Sequence, residues 1–240
     1  ASGRQGRRQE FRPRPALSDH EQISRRLSGT GMATDIDTLF AMARLQAEGS
    51  VGWGTPVPEK RPGVYVVASR SPALQKIPLD TDKIRSWMRT APAMRLDGRA
   101  SPAMGALQAR LASYWQPGET ILYTGLAGTS LRNRVGQFYR HKVGFSKPHS
   151  GGFWLKLLSD EWLSSTNVFW ATTPQPDCCE YQMLRGFAEI RGGHAGGGTA
   201  PLAQLVQHIP FANVKIELPD KAPGASRRAL KQHGLKGQTV

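Results

Sequence analysis

The sequence predicts an α+β fold. Two apolar runs have the character of buried strands, V-Y-V-V-A at 64–68 and I-L-Y-T at 121–124, and each follows a Pro-Gly pair. Amphipathic segments with helical spacing lie before, between and after these runs. They do not follow the regular strand–helix alternation of a βαβ protein. Strands and helices mixed in this way are typical of the α+β class.

The first sixty residues are interpreted as an arm followed by a helical segment. Residues 1–30 are basic and expected to be largely disordered, with a short helix predicted from the capping pattern S-D-H-E that begins at Ser18. Residues 31–60 form a helical N-terminal segment, because apolar residues between Thr34 and Glu48 recur at helical spacing. The glycines of residues 49–54 are expected to end this helix.

Local patterns predict the remaining elements. Helices are predicted at 104–114, 130–141, 178–190 and 202–207. Shorter apolar runs predict strands at 153–158, 168–171 and 214–218. The residues between the two tyrosine-containing strands, about 69–118, form an insertion, and residues 219–240 form a basic C-terminal tail.

The charge of the chain indicates a polyanionic partner. Its 32 Lys and Arg exceed its 18 Asp and Glu by 14, and residues 1–30 and 219–240 each carry a net charge of +4. A protein that neutralises phosphates releases counterions, so an excess of this size favours nucleic acid as partner. A solvated basic surface, an acidic protein or a membrane surface are the alternatives that charge alone leaves open.

Other features of the sequence indicate where the protein is located in the cell. The sequence contains no apolar run of eighteen residues, so we expect no membrane-spanning helix. Basic residues at the start are not followed by an apolar stretch, which argues against a secretory signal, although an Arg-rich start also occurs in organellar transit segments. The two adjacent cysteines, Cys178 and Cys179, form neither a disulfide framework nor a zinc site. We therefore expect a cytoplasmic protein with no membrane partner.

Two short motifs place tyrosines beside glycines in the predicted strands. They are G-V-Y, which ends at Tyr65, and Y-T-G, which begins at Tyr123. Either tyrosine alone is more often a core residue of a strand. After Tyr123, however, a glycine turn leads into an amphipathic helix with Arg134 on its polar side. A guanidinium there can take two oxygens of a phosphodiester, which suits a phosphoryl transition state.

The motifs together resemble the GIY-YIG nuclease superfamily. The ordered set is G-V-Y, Y-T-G, L-R-N-R, C-E-Y and P-F-A-N, and it covers residues 61–218. The long insertion and the Gly-Gly-aromatic segment at 151–157 resemble a bacterial branch of that superfamily. The resemblance implies a small antiparallel three-stranded sheet flanked by helices, a divalent metal ion, and hydrolysis of phosphodiester bonds in double-stranded DNA.

The resemblance also implies roles for five residues. Tyr65 contacts the attacking water and acts as base, and Tyr123 helps to hold that water and the phosphate. Arg134 stabilises the charge that develops on phosphorus, and Glu180 holds Mg²⁺ or Mn²⁺. Asn213 braces the site from late in the domain. The acidic residues Glu161 and Glu189 compete with Glu180 for the role of metal ligand.

Further contacts with DNA are expected around this centre. Many relatives carry a histidine one turn after the arginine, where this chain has Phe138. His141, seven residues after Arg134, is the candidate for the catalytic histidine instead, and it could reach a phosphate. Loop and helix cations add predicted nucleic-acid contacts at Arg132, Lys142, Lys147 and His149, and Arg85 and Arg89 of the insertion are candidates for reading the target. His149 as a plain loop residue, and the insertion as a solvated brace, are the alternatives.

The predicted function is metal-dependent cleavage of double-stranded DNA, and the bacterial branch suggests a restriction or phage-defence enzyme. Two alternatives remain open at this point. One is a DNA-binding module that keeps the fold without catalysis. The other is a repair or recombination nuclease that recognises branched or modified DNA. The oligomeric state is also left open, with a homodimer as one option.

Overall fold

A computed structural model describes residues 33–91, 94–96, 99–143, 152–193, 201–213, 215–217, 229–231 and 235–236. The helix predicted from Ser18 lies outside these residues, and so do Lys147 and His149. The other predicted site residues lie within them.

Nine strands are described, and four of them form the central sheet. The strands are β1 (Gly49–Gly52), β2 (Gly63–Ser69), β3 (Arg95–Leu96), β4 (Arg99–Ala100), β5 (Ile121–Ala127), β6 (Thr166–Thr172), β7 (Lys215–Glu217), β8 (Ala229–Lys231) and β9 (Leu235–Lys236). The central sheet is antiparallel, with the order β1-β6-β2-β5. Outside it, β3 pairs with β4 and β9, and β7 pairs with β8. The sheet and its flanking helices confirm the α+β class.

The central sheet has four strands where three were expected, because residues 49–52 add one at its edge. This segment was expected only to end the first helix, but it pairs with β6, and Gly49 stands opposite Trp170. A Cβ atom at Gly49 would lie 2.6 Å from the Trp170 ring. The glycine therefore makes room for the indole in the sheet, and its role is strand packing.

Seven α-helices lie in the described part of the chain. They are α1 (Ile36–Met42), α2 (Thr81–Thr90), α3 (Met104–Tyr114), α4 (Leu131–Arg140), α5 (Asp160–Ser164), α6 (Pro176–Arg191) and α7 (Leu202–Leu205). Helix α1 is shorter than predicted, and α2 and α5 were not predicted. None of the helices in these residues has the length and apolar composition that a membrane crossing requires.

The strand predicted at 153–158 is also wrong, since Phe153–Leu157 forms a 3₁₀ helix. It begins after Gly152, whose φ of 69° lies in the left-handed region that glycine adopts without strain. Four of its five side chains are buried. A short apolar run gives no periodicity that separates a buried strand from a buried helical turn, which is why the sequence suggested a strand.

The central strand β2 is buried on both faces, and its side chains alternate between two cores. Tyr65 and Val67 face the core that includes α4 and the 3₁₀ helix. Val64 and Val66 face the core that includes α1 and part of α6. A residue of β2 therefore contacts helices from distant parts of the chain, whichever face it occupies.

Buried Glu119 ties the start of β5 to the beginning of the described chain and to the end of α6. Its carboxylate accepts hydrogen bonds from the backbone N–H of Thr34 at 3.1 Å, Thr120 at 2.8 Å and Ile121 at 3.1 Å. The Arg191 guanidinium, at the end of α6, lies 3.8 Å from it. A buried charge with this many partners fixes the position of the strand that carries Tyr123.

The close approach of β2 to its neighbours makes Gly63 a test of this fold. A Cβ there would lie 2.2 Å from the Ala171 carbonyl oxygen and 2.9 Å from Leu131 Cδ1. We expect Gly63→Ala to lower the free energy of unfolding by about 1–3 kcal/mol, because backbone atoms must shift. Urea denaturation followed by circular dichroism measures the change.

Gly105→Ala is the matched control. Gly105 lies in the first turn of α3, with no atom within 4 Å of an added Cβ. Alanine there is expected to be neutral or to stabilise the protein by up to about 1 kcal/mol. Equal effects of the two substitutions would contradict the close approach at Gly63.

Candidate active site

Tyr65 and Tyr123 lie side by side on one face of the central sheet. In the pairing of β2 with β5, Tyr65 stands opposite Gly125 and Val67 opposite Tyr123. The two tyrosines are thus diagonal neighbours on the same face. Their ring centroids are 5.9 Å apart, and their hydroxyls are joined by a hydrogen bond. The exposed fraction of the side chain is 0% for Tyr65 and 5% for Tyr123.

Two glycines create the space for these rings. A Cβ at Gly125 would lie 2.7 Å from Tyr65 Cζ and 2.8 Å from Tyr123 Cε1. A Cβ at Gly152 would lie 3.0 Å from both Tyr123 Cε2 and Phe138 Cζ. The glycine of Y-T-G and the second glycine of the Gly-Gly-aromatic segment therefore both serve the tyrosine pair.

Arg134 and Glu180 bring opposite charges to the tyrosine pair. Both are half-buried, and they come from α4 and from the first turns of α6. The Arg134 charge lowers the pKa of both hydroxyls, and the Glu180 charge raises both. Four side chains that are far apart in sequence therefore form one electrostatic neighbourhood.

Both tyrosines are neutral phenols at neutral pH. Burial, the largest influence, raises the pKa of both hydroxyls above the usual value. The charge of Arg134 and the hydrogen bond from Tyr123 act in the opposite direction on Tyr65 and lower its pKa. These two neighbours therefore favour the ionised form of Tyr65.

Glu180 is the predicted metal ligand, and it would hold a cation as a single carboxylate. The described residues contain no group of three His, Cys, Asp or Glu side chains that could enclose a metal ion. Mg²⁺ commonly binds through one or two carboxylates, with water and substrate phosphate as its other ligands. Of the two competitors, Glu189 accepts a hydrogen bond from Arg185 at 2.8 Å, and Glu161 is exposed on α5. A single carboxylate is compatible with a hydrated Mg²⁺ or Mn²⁺, and the metal site itself stays a prediction.

Asn213 holds the edge of β5 directly beside Tyr123. Its side-chain oxygen accepts from the Thr124 N–H at 2.9 Å, and its nitrogen donates to the Thr124 carbonyl at 2.7 Å. The preceding residue, Ala212, donates its N–H to the Leu122 carbonyl at 2.9 Å. The amide thus pairs with β5 as a neighbouring strand would, and Asn213 positions Tyr123 through its backbone.

His141 lies away from the arginine, at the C-terminal end of α4. It caps the helix, its exposed fraction is 3%, and it follows Arg134 by about 10 Å along the helix axis. Its phosphate contact stays a prediction.

Lys156, beside the end of α4, was not predicted as a site residue, because a lysine after apolar residues carries no signal of its own. Lys156 Nζ donates to the carbonyls of Tyr139 and His141 and lies 5.6 Å from the centroid of the Phe138 ring.

Unlike His141, the other four predicted DNA contacts within the described residues are exposed. Arg132 lies at the start of α4, and Lys142 just follows its end. Arg85 and Arg89 occupy one exposed side of α2, where Arg85 is paired with Asp82. Exposure allows a phosphate contact for each of them, and the contacts themselves stay predictions.

Lys156 makes the stability of the protein depend on pH. Burial lowers its pKa from 10.5 to about 8. Between pH 8 and 10.5 the unfolded chain therefore holds a proton that the folded chain has lost, so the free energy of unfolding rises with pH in this window. Above pH 10 the buried tyrosines reverse the trend, because burial raises the pKa of Tyr139 to about 12 and those of Tyr65 and Tyr123 above the usual value.

We expect stability to rise between pH 8 and 10 and then to fall. Lys156→Met should remove the rise and keep the fall, as measured by urea denaturation at a series of pH values. Lys142→Met, a change at an exposed lysine close in sequence, should leave both in place. A rise of the same size in Lys156→Met would show that another group causes it.

Comparisons of the chain with protein-family models, with curated proteins and with solved structures give no match.

Proposed function

We propose that this chain is a metal-dependent endonuclease of the GIY-YIG type that hydrolyses phosphodiester bonds of double-stranded DNA. One observation carries the proposal: Tyr65, Tyr123, Arg134 and Glu180 share one electrostatic neighbourhood. These are the four residues to which the motif resemblance gives direct roles in the chemistry. In this proposal β6, β2 and β5 are the three strands of the nuclease core, and β1 is an addition at its edge.

Each side chain suits one task in phosphodiester hydrolysis. Tyr65 is the base for the attacking water, because the bond from Tyr123 and the charge of Arg134 both favour its ionised form. The guanidinium of Arg134 stabilises the negative charge that builds up on the phosphoryl oxygens. Glu180 holds Mg²⁺ or Mn²⁺, which supplies Lewis-acid stabilisation of the phosphate when bound. Asn213 fixes Tyr123 by fixing β5.

The net charge of +14 supports DNA as the partner, since phosphate contacts by Lys and Arg dominate the affinity of such complexes. Within this proposal the enzyme acts in the cytoplasm as a restriction or phage-defence nuclease, a role that rests on the bacterial branch that the motifs resemble. A repair or recombination enzyme would cleave branched or modified DNA faster than plain duplex, so comparing these substrates separates the two roles.

A non-catalytic DNA-binding module is the second candidate. The complete burial of Tyr65 favours it, because a phenol with a raised pKa is a poor base at neutral pH. A module of this kind would bind duplex and show no metal-dependent nicking of a plasmid. The nicking assay in Mg²⁺ and Mn²⁺ therefore decides between the two candidates.

Tyr65→Phe should lower the single-turnover cleavage rate at least a hundredfold and leave duplex affinity nearly unchanged. The reason is that general-base catalysis contributes about 10²–10⁴ in rate. Tyr114→Phe, which removes a hydroxyl from a tyrosine stacked on Trp154, is the control and should cleave normally. Near-normal cleavage by a folded Tyr65→Phe protein would leave Tyr65 with a purely structural role.

Glu180→Gln should abolish cleavage at every Mg²⁺ concentration. Duplex binding without metal should stay as tight or become tighter, because a carboxylate beside a phosphodiester repels it when no cation lies between them. Glu161→Gln, at an exposed glutamate of α5, should retain full activity. Cleavage by a folded Glu180→Gln protein would overturn the assignment of the metal ligand.

A further inference from the structure

A basic groove runs along α4 on the side that faces the loop after β1. It has a volume of about 400 Å³, and we call it the α4 groove. Among the residues that line it are Gly54, Arg132, Asn133, Gly136, Tyr139 and Arg140. The five from α4 recur at helical spacing, so they form one face of the helix. No residue that lines the groove in the described part of the chain is acidic.

The α4 groove is separate from the candidate active site. Leu131, Val135 and Phe138 bury one side of α4 against the sheet. Arg134, two residues after Arg132, therefore lies on the other flank of the helix, beside the tyrosines. Helix α4 thus presents cations on two flanks, and only one flank carries the proposed chemistry.

Two guanidinium groups are available in the α4 groove. Arg132 and Arg140 are exposed, about 12 Å apart along the axis, and neither lies within 4 Å of a carboxylate in the described residues. Gly136 lies between them, and a Cβ there would be 3.3 Å from Arg140 Nη1. The missing side chain thus lets the Arg140 guanidinium fold back over the helix into the groove.

Tyr139 lines the α4 groove, but its hydroxyl oxygen is buried. Burial raises the pKa of this hydroxyl to about 12, so it adds no negative charge at neutral pH. The groove therefore offers two exposed cations and no acid among the described lining residues. Guanidinium groups in such a setting match the oxygens of a phosphate.

We propose that the α4 groove binds a second phosphate of the DNA backbone, distinct from the phosphodiester that is cleaved. This inference rests on the proposed function, because it takes duplex DNA as the substrate. A helix is about 10–12 Å wide, close to the 12 Å width of the major groove, so one helix can meet phosphates on both flanks. The α4 groove then sets the register of the duplex over Arg134.

The test is the salt dependence of duplex binding, measured without metal so that no cleavage occurs. Each phosphate contact contributes about 0.9 to the slope of log K against log salt concentration. Arg132→Gln/Arg140→Gln should reduce the slope by about 0.9, which corresponds to the loss of one phosphate contact, and Arg140→Gln alone should reduce it by no more than this. The double lysine variant, Arg132→Lys/Arg140→Lys, keeps both charges and should keep the slope.

Arg44→Gln is the matched control. It removes the same charge from an exposed residue after α1, which packs on the opposite face of the sheet, so its slope should equal that of the wild type. Thermal denaturation confirms that each variant is folded.

The results separate this inference from the proposed function. An unchanged slope in the double glutamine variant, beside normal wild-type cleavage, overturns the α4 groove alone. A reduced slope in a protein that cleaves no DNA supports the groove and refutes the nuclease. A slope reduced equally by Arg44→Gln shows a general effect of charge and overturns the groove.

Discussion

The site depends on the space that lets two phenol rings lie side by side inside the sheet. Tyr65 and Tyr123 project from the same face of adjacent antiparallel strands, and their rings meet where Gly125 has no side chain. Gly152 gives the same freedom on the far side of Tyr123. Because protein interiors are close-packed, a methyl group at either glycine would displace a ring. The two glycines therefore fix the distance between the hydroxyls.

This arrangement has an electrostatic consequence. Two buried phenols with raised pKa values make a neutral centre, and Arg134 and Glu180 place opposite charges beside it. Neither charge lies in the sheet; both come from helices that pack onto it. The sheet thus sets where the hydroxyls are, burial raises their pKa values most, and the charges on the helices adjust those values further. Asn213 supports the position of the Tyr123 hydroxyl, because its bonds to Thr124 fix the strand next to Tyr123.

The sequence predicted those elements that carry a strong periodic pattern. Both tyrosine strands and the helix with Arg134 stand close to their predicted bounds, and Ser130 caps that helix by accepting from the Asn133 N–H. The edge strand β1 was missed, because G-S-V-G lacks the apolar run that indicates a strand. Its pairing depends on Trp170, more than a hundred residues away. A strand pairing that depends on a distant residue leaves no pattern in the local sequence.

The residues of the candidate site also divide into those that the sequence predicted and those that it did not. The motif order identified Tyr65, Tyr123, Arg134 and Glu180, and the structure places these four in one neighbourhood. Lys156 could not be found from sequence, since its importance comes from the helix-end carbonyls it meets. The bracing contact of Asn213 was expected only through the resemblance. Its geometry depends on the chain returning to the edge of β5, which no local pattern encodes.

The raised pKa of Tyr65 and its proposed role as base are compatible when the balance of charges is considered. Burial and the negative charge of Glu180 both raise this pKa, whereas Arg134 and the bond from Tyr123 lower it. A cation at Glu180 would cancel one of the three influences that raise this pKa, the third being Tyr139, and would leave both lowering influences in place. Tyr65 would then be a better base in the metal-loaded protein than in the free one. The same carboxylate that raises the pKa of Tyr65 without metal would raise it less once a cation neutralises it, although burial would still act on the hydroxyl.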